Sequence, residues 1–402
     1  MASEKRRLGI FLGAGTSMSV GIPGIEELTS RVENALSDTQ KAQFATIRSA
    51  LAGKPNVEHV LSRVRLCREF LDNDPKRALE GLTAASAQGL DAAICGAIAD
   101  VVRVEPPRGM HPHVILAQWL HAIHRNRTFP VEVFTTNYDL LLERAMEAVG
   151  LPFFDGFVGS VQPFFSPEAV DGDDTRSLDS VCPPRAWTRL WKLHGSIGWH
   201  LRQDTPAQRP RITRLTDREL GAGEELMVFP SREKYADSRR LPFLALQDRL
   251  RHFIGSGEVL LLVAGYSFSD EHINEILLQG LRSNNRLAID ALVYGEEGPS
   301  GPSNRQLPDR TAILGQQYRN LAVLGPDKAV IGGLIGPWSK PSRKPPEGEQ
   351  WSFWDDASSS FALGDFQSMA RFFERFIGFR QPTSGLAVDG LGNQATAGED
   401  RP

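Results

Sequence analysis

Short apolar runs that end in glycine or in a polar cluster alternate with helical patterns along the chain. We predict strands at these runs because buried parallel strands are short, continuously apolar and bounded by turn residues. The predicted strands cover residues 8–12, 131–134, 190–193, 227–229, 259–264 and 288–294. Strands that alternate with helices predict an α/β fold with a doubly wound parallel sheet.

The spacing of apolar residues also predicts how the chain is divided. Repeated helical patterns with few strand signals fill residues from about 39 to 125, which predicts a large helical insertion. We expect one domain over residues 1–380, interrupted by that insertion, and a polar, disordered tail over 381–402. Further helices are predicted from Glu26, over 140–149, after Asp270 and over 358–376, and loops over 163–185, 295–305 and 337–350.

Composition and charge narrow the class of protein. Hydrophobic residues make up 41% and charged residues 23% of the 402 residues, which is ordinary for a globular protein with a sizeable core. A formal net charge of -4 gives no indication of direct nucleic-acid binding, which favours a basic face. The longest strongly apolar stretch, 259–265, is shorter than the roughly 20 residues that span a bilayer, and no secretory cleavage pattern is visible. We therefore expect a cytoplasmic protein.

The cysteines and histidines do not predict a metal site. Cys67, Cys95 and Cys182 are far apart and form no CxxC pair, so neither a disulfide framework nor a four-cysteine zinc site is expected. The pairs His111/His113 and His121/His124 have no third ligand nearby in the sequence.

Candidate chemistry begins with the glycines that follow the first predicted strand. Gly13-Ala14-Gly15-Thr16-Ser17 would let the backbone approach a phosphate, and Gly21-Ile22-Pro23 follows shortly after. Met18 occupies the place of the third glycine of the GxGxxG pattern, and the lysine of a phosphate-binding P-loop is absent. A tight strand-to-helix turn is the alternative explanation.

Three later strands also end in polar residues. Asn137 and Asp139 suit ribose hydroxyls, although taken alone a turn that caps the following helix is the favoured explanation. His194 could act as a base near neutral pH, although a lone histidine is more often structural. Gly265-Tyr266-Ser267 could contact phosphate or ribose, or could form a turn in which Ser269 or Asp270 caps the next helix. Because ligands bind beyond the carboxyl ends of parallel strands, we expect these clusters to converge.

In this order, the four clusters resemble the motifs of the sirtuin superfamily. The run from Gly13 to Pro23 resembles that family's nucleotide loop, Thr136-Asn137-Tyr138-Asp139 its Gln-Asn-x-Asp motif, His194-Gly195 its His-Gly pair and Gly265-Tyr266-Ser267 its later Gly-x-Ser loop. The resemblance covers about residues 8–296 and implies a Rossmann-like NAD-binding domain, with Asn137 and His194 as catalytic residues. The residues that it implies for NAD+ binding are Gly13, Ala14, Gly15, Ser17, Ile22, Pro23, Asp139, Gly265, Ser267 and Tyr294.

Departures from the deacetylase pattern change the activity that the resemblance implies. The two CxxC pairs of the deacetylase zinc module are missing, Gly24-Ile25-Glu26 replaces Asp-Phe-Arg, and Thr136 replaces Gln. Thr135-Thr136-Asn137-Tyr138-Asp139, the Lys192–Ser196 run and the segment 229–234 resemble the sirtuin-like NADase branch of bacterial anti-phage defence proteins. That resemblance implies an NAD+ hydrolase that forms ADP-ribose and nicotinamide, with no metal, as a homo-oligomer and with a HerA-type ATPase as a partner.

Other activities remain open at this point. A protein ADP-ribosyltransferase would use the same bond cleavage with a protein acceptor, and a deacetylase is disfavoured by the missing zinc module. A non-catalytic scaffold that senses NAD or ADP-ribose would bind the nucleotide without turnover.

Overall fold

The computed structural model describes residues 5–71, 74, 76–107, 109–124, 127–171, 183–184, 186–202, 210–215, 225–228, 237–298, 301–340 and 352–377. Four of the sequence predictions fall wholly or largely outside these residues. They concern the segment 229–234, most of the loops 163–185 and 337–350, and the tail 381–402.

The described residues form strands and helices in alternation. The strands are β1 (Arg7–Leu12), β2 (Ala78–Leu79), β3 (Leu82–Thr83), β4 (Glu132–Thr135), β5 (Phe153–Phe154), β6 (Phe157–Val158), β7 (Phe164–Phe165), β8 (Thr188–Lys192), β9 (Gly195–Arg202), β10 (Arg211–Arg214), β11 (Glu225–Val228), β12 (Val259–Ala264), β13 (Leu287–Leu292), β14 (Glu296–Gly298), β15 (Gly301–Gln306), β16 (Leu321–Leu324), β17 (Lys328–Ile331), β18 (Leu334–Pro337), β19 (Trp354–Asp355) and β20 (Ser360–Phe361). The helices are α1 (Ala14–Met18), α2 (Ile25–Ala35), α3 (Asp38–Ala50), α4 (Val57–Leu71), α5 (Ala84–Val102), α6 (Pro112–His124), α7 (Leu141–Ala148), α8 (Pro167–Asp171), α9 (Asp237–Gly255), α10 (Glu271–Ser283), α11 (Asp309–Gln317) and α12 (Phe366–Glu374).

A nine-stranded sheet forms the centre, in the order β18-β17-β16-β13-β12-β1-β4-β8-β5. The seven strands from β16 to β5 pair in parallel, whereas β17 and β18 add an antiparallel edge. The α/β fold with a mostly parallel sheet is therefore confirmed. Five of the predicted strands are β1, β4, β8, β12 and β13 of this sheet, because continuous apolar runs are what a sheet covered on both faces requires.

Helices cover both faces of this sheet. On one face, apolar side chains of β1, β4, β12 and β13 pack against α9 and α10, and Phe11, Phe253 and Ile273 are completely buried there. On the other face, Ile10 and Leu190 pack with α6, α7 and α12. This arrangement leaves the carboxyl ends of the strands as the place where side chains can converge.

A second, antiparallel sheet lies beside the first, in the order β11-β9-β10-β7-β6. The predicted strand at 227–229 belongs to this sheet, as β11. The chain crosses from one sheet to the other between Lys192 and Gly195, since β8 ends at the first residue and β9 begins at the second.

Helices α2–α5 lie between β1 and β4 and share an apolar cluster of their own, which includes Val60, Leu90 and Ile98. Capping boxes at Ser37 and Thr83 start α3 and α5. Among the described helices, α5 alone is long and apolar enough to cross a membrane by length and composition. The buried side of α5 packs into this apolar cluster, which is how a core helix packs.

Two sequence predictions in the C-terminal part are wrong. The segment 295–305 is not a loop in its described part, because β14 and β15 pair as antiparallel strands. The last helix does not begin near Ser358 but at Phe366, where the Asp365 side chain accepts a hydrogen bond from the Ser368 amide and caps the helix.

Candidate active site

The candidate residues lie where the strand order of the central sheet changes direction. β1 and β12 are neighbours, but the chain leaves β1 towards β4 on one side and leaves β12 towards β13 on the other. Such a switch point opens a crevice beyond the carboxyl ends of the strands, where doubly wound folds bind their ligands. The four polar clusters follow β1, β4, β8 and β12, so the structure brings them to this one edge.

The glycines after β1 and β12 form a close backbone contact with each other. Gly15 N–H donates to Gly265 O at 2.9 Å. A Cβ on Gly13 would lie 2.5 Å from Gly265 O, and a Cβ on Gly265 would lie 2.6 Å from the Thr16 nitrogen. Packing alone therefore demands glycine at these positions. We call Gly13, Gly15 and Gly265 the glycine seam.

Asn137 is held in one orientation by its amide nitrogen. Nδ2 donates to Ser17 Oγ at 2.7 Å, to Thr16 Oγ1 at 3.1 Å and to Gly13 O at 3.2 Å. The Oδ1 atom is buried and has no hydrogen-bond partner within the described part of the chain. Because a buried acceptor without a partner is costly, this atom is suited to accept a hydrogen bond from a bound hydroxyl or water.

Asp139 ties the loop after β4 to the loop after β1. Its Oδ2 accepts from Ser17 Oγ at 2.6 Å and its Oδ1 from the amide of Leu141, the first residue of α7, at 3.0 Å. The buried Lys192 donates to the Asp139 carbonyl and to Glu143 Oε1 at 2.8 Å. These contacts fix the short loop that carries Asn137.

His194 follows β8, the strand that pairs with β4, just as Asn137 follows β4. Thr135 of β4 pairs with Lys192 of β8, and Asn137 and His194 each follow two residues later. His194 is 6% exposed, and its Nε2 lies 2.8 Å from Asp270 Oδ2. Burial raises the pKa of Asp270, but the hydrogen bond and charge of His194, helped by two backbone amides, hold it down to about 2.

Tyr138 connects this pair to the helices between β1 and β4. Its ring lies 6.4 Å from the His194 ring at an interplanar angle of 29°, and its hydroxyl donates to Glu58 of α4. Burial, together with the nearby Glu58 carboxylate, raises the pKa of Tyr138 well above its ordinary value.

Three of the four clusters at the candidate site fall within one recognised domain. Residues 131–311 match the family model of a SIR2-like domain. Similar solved structures include a Sir2 homologue in complex with NAD, at 14% identity and a TM-score of 0.35, with 73% of this chain and 79% of that chain covered. A variant Sir2 homologue in complex with ADP-ribose has 13% identity and a TM-score of 0.34, with 73% and 82% covered. No curated protein sequence matches the chain.

The SIR2-like match includes Asn137, Asp139, His194 and the loop after β12, but it begins at residue 131 and so leaves out the loop after β1. In the structure, that unmatched loop completes the site, because Ser17 bonds to both Asn137 and Asp139. Ile22 is buried in the cluster of helices α2–α5, and Pro23 beside it is also buried.

Two further candidates within the SIR2-like match are exposed to solvent. Ser267 Oγ donates to Ser269 Oγ at 3.0 Å on an exposed turn. Tyr294 is 51% exposed, and the Arg305 guanidinium stacks 4.0 Å above its ring.

Two residues at the site were missed by sequence analysis as functional candidates. Asp270 was considered only as a helix cap, and nothing local in the sequence indicates its contact with His194. His113 of α6 is 1% exposed, lies near Asp139, and has a buried Nδ1 without a hydrogen-bond partner among the described residues.

Among the residues that the structure describes, no group of three or more His, Cys, Asp or Glu side chains could hold a metal ion. The buried Cys67 and Cys95 are free thiols, and burial raises the pKa of Cys67 to about 11 and that of Cys95 to about 12.

Proposed function

We propose that the protein is an NAD+ hydrolase that cleaves NAD+ to ADP-ribose and nicotinamide. One observation carries the proposal: a buried, unsatisfied acceptor of Asn137 and a carboxylate-bound imidazole of His194 stand on adjacent strand ends at the switch point of the sheet. The SIR2-like match over the same residues supports NAD+ as the ligand.

The chemistry needs little more than these two side chains. Breaking the bond between nicotinamide and ribose produces an oxocarbenium-like ribose, as glycoside cleavage does in general. Nicotinamide leaves with the bonding electron pair, which neutralises its cationic ring. Asn137 Oδ1 would accept a hydrogen bond from the attacking water, and His194 would remove a proton from that water or from a ribose hydroxyl.

The remaining candidates would hold the rest of the nucleotide. Gly13, Ala14, Gly15 and Ser17 would lie beside the pyrophosphate, and Asp139 beside the nicotinamide ribose. Gly265 and Ser267, in the loop after β12, would form one wall of the crevice, and Tyr294 would lie on the side of the adenosine. Ile22 and Pro23 would contribute buried contacts below the first loop.

The test is product analysis of labelled NAD+ incubated with the protein. We expect free ADP-ribose and nicotinamide; label on protein would instead indicate an ADP-ribosyltransferase, and binding without products a nucleotide-sensing scaffold. Because general-base help is worth about 10²–10⁴-fold, His194→Ala should lose about that factor in turnover while the protein remains folded. Wild-type NAD+ cleavage by this variant would remove His194 from the proposed role.

We further propose that the activity depletes NAD+ in anti-phage defence, in the cytoplasm, and that the protein works as a homo-oligomer with a HerA-type ATPase. The resemblance of the Thr135–Asp139 and Lys192–Ser196 motifs to defence NADases supports this. The same product assay, run with and without the protein encoded by the neighbouring gene, tests the need for a partner, and light scattering gives the oligomeric state.

A further inference from the structure

We propose that Asp270 is a positioning residue that decides which nitrogen of His194 acts as the base. In this arrangement, Nε2 keeps its proton and donates it to Asp270, and Nδ1 carries the lone pair that accepts a proton during the reaction. The inference rests on the proposed function for its catalytic consequence, but the state of the imidazole can be measured without any activity.

The carboxylate of Asp270 has two tasks, one for each oxygen. Oδ1 accepts from the His272 amide at 2.9 Å and from the Ile273 amide at 3.2 Å, and so caps α10. Oδ2 lies 2.8 Å from His194 Nε2. Because the cap fixes Oδ1, it also fixes the direction in which Oδ2 faces.

The backbone around Asp270 is itself held in place. The Tyr266 hydroxyl donates to Asn274 Oδ1 at 2.9 Å and to the Asp270 carbonyl at 3.3 Å. Asn274 Nδ2 donates to the Phe268 carbonyl at 2.8 Å. The carboxylate is therefore part of a rigid first turn of α10, as a group that orients a catalytic histidine must be.

An ionised carboxylate can only accept hydrogen bonds, so the nitrogen that faces it must carry the proton. Asp270 is ionised at neutral pH, because His194 and the two amides hold its pKa at about 2 although burial raises it. A neutral His194 therefore has its proton on Nε2 and its lone pair on Nδ1. The charged or titratable side chains near the pair include Tyr138, whose ring stacks on the imidazole, Glu58 and Arg65, which act on Tyr138, and Arg310, which acts on Tyr266.

The proton balance follows from this tautomer. In the hydrolysis, the C–N bond to nicotinamide breaks, the oxygen of water bonds to the ribose carbon, and one water proton passes to Nδ1. The imidazolium that forms carries a proton on each nitrogen and is stabilised by the Asp270 carboxylate. The proton on Nδ1 then leaves to solvent, so one NAD+ and one water give ADP-ribose, nicotinamide and one proton.

The decisive variant is Asp270→Asn, which preserves the cap. Its Oδ1 still accepts from the two amides, since Asn is as good an N-cap residue as Asp. Its NH₂ group takes the place of Oδ2 and turns a hydrogen-bond donor towards Nε2, which must then give up its proton. We expect the proton to move to Nδ1 and kcat to fall about 10³–10⁴-fold with little change in KM, the size of effect known for a wrong tautomer in a serine protease triad.

Asp365→Asn is the matched control, because Asp365 caps α12 through the Ser368 amide and makes the same kind of contact. It should keep the wild-type rate and the wild-type imidazole signals. Asp270→Ser is a second variant that keeps a capping oxygen but is too short to reach His194, and we expect it to lose the fixed tautomer.

The readout is nitrogen NMR of histidine-labelled protein, with the His194 signals assigned by their loss in His194→Gln. A wild-type spectrum with the proton on Nδ1 overturns the proposal, and so does an Asp270→Asn variant whose tautomer or kcat equals that of the wild type. If the wild-type protein shows the Nε2–H tautomer but cleaves no NAD+, the proposed function fails while the positioning role of Asp270 stands.

Discussion

Gly265 shows how a single residue can be fixed by packing alone. A Cβ at Gly265 would meet the Thr16 nitrogen at 2.6 Å, and the residue has a φ of +64°. Gly332 has nearly the same φ, +61°, but a Cβ there would meet open space in the described part of the chain. Gly265→Ala should therefore lower the free energy of unfolding by about 1–3 kcal/mol more than Gly332→Ala, measured by urea denaturation. Equal losses would mean that the seam can relax.

The burial of His113 predicts that the folded protein loses stability in mild acid. Burial lowers its pKa from 6.5 to about 4, which the neighbouring Asp139 only partly offsets. Between these two values the unfolded chain binds the proton more tightly than the folded protein, so stability is lost as the pH falls from about 6.5 to 4. The size of the shift corresponds to about 3 kcal/mol.

We expect His113→Leu to remove that part of the decline, measured as the free energy of unfolding at several pH values. The quantity to compare is the slope of the free energy of unfolding against pH. The absolute values also differ because Leu changes the packing against Phe366, whose ring centroid lies 4.9 Å from that of His113. Parallel pH profiles for the two proteins would show that His113 does not titrate in this range.

The sequence predicted the place of the site residues better than their contacts. Asn137 and His194 could be found because each follows a recognisable strand in a motif. The donation of Asn137 Nδ2 to Ser17 joins residues 120 positions apart, and the pairing of His194 with Asp270 also joins distant parts of the chain. No local pattern encodes such pairs.

At the scale of elements, a buried ion pair joins α9 to β4. Arg249 donates to both carboxylate oxygens of Glu132, at 2.6 and 2.8 Å, and the two side chains are 7% and 1% exposed. Arg249→Ala would leave this buried carboxylate without its cation, so we expect a loss of about 3–5 kcal/mol in thermal or chemical unfolding.

Arg251→Ala is the control on the same helix. Arg251 pairs with Asp248, but their side chains are 47% and 65% exposed, and exposed pairs contribute about 0–1 kcal/mol. Similar losses from the two variants would contradict the burial argument.

The strength of the strand signal decided which elements could be predicted. The strand predicted at 259–264 coincides with β12, because it is apolar on both faces and ends at glycine. β14 and β15 were missed because Glu, Gly, Ser and Asn give a hairpin no apolar alternation. The short strands β5, β6 and β7 are too brief for any periodicity to appear.

At the scale of the whole molecule, the helices between β1 and β4 reach the site through Glu58 and Tyr138. Hydrogen bonds to charged groups are worth about 1.5–3 kcal/mol, so Tyr138→Phe should lower the free energy of unfolding by about that amount. Tyr318→Phe, which removes an exposed hydroxyl that contacts Arg282, should cost less. If Tyr138→Phe leaves the free energy of unfolding unchanged, the contact between Tyr138 and Glu58 does not help to hold the helices against the sheet.

The crossing of the chain between the two sheets places His194 at a joint. Gly195, the residue that follows it, has a φ of +82°, and there β9 departs into the second sheet. The Ile197 amide of β9 donates to the Tyr138 carbonyl at 3.0 Å, and Tyr138 is the residue that follows Asn137. The first residues of the second sheet thus contact both halves of the candidate pair, so a shift of that sheet would be felt at the imidazole and at the carboxamide together.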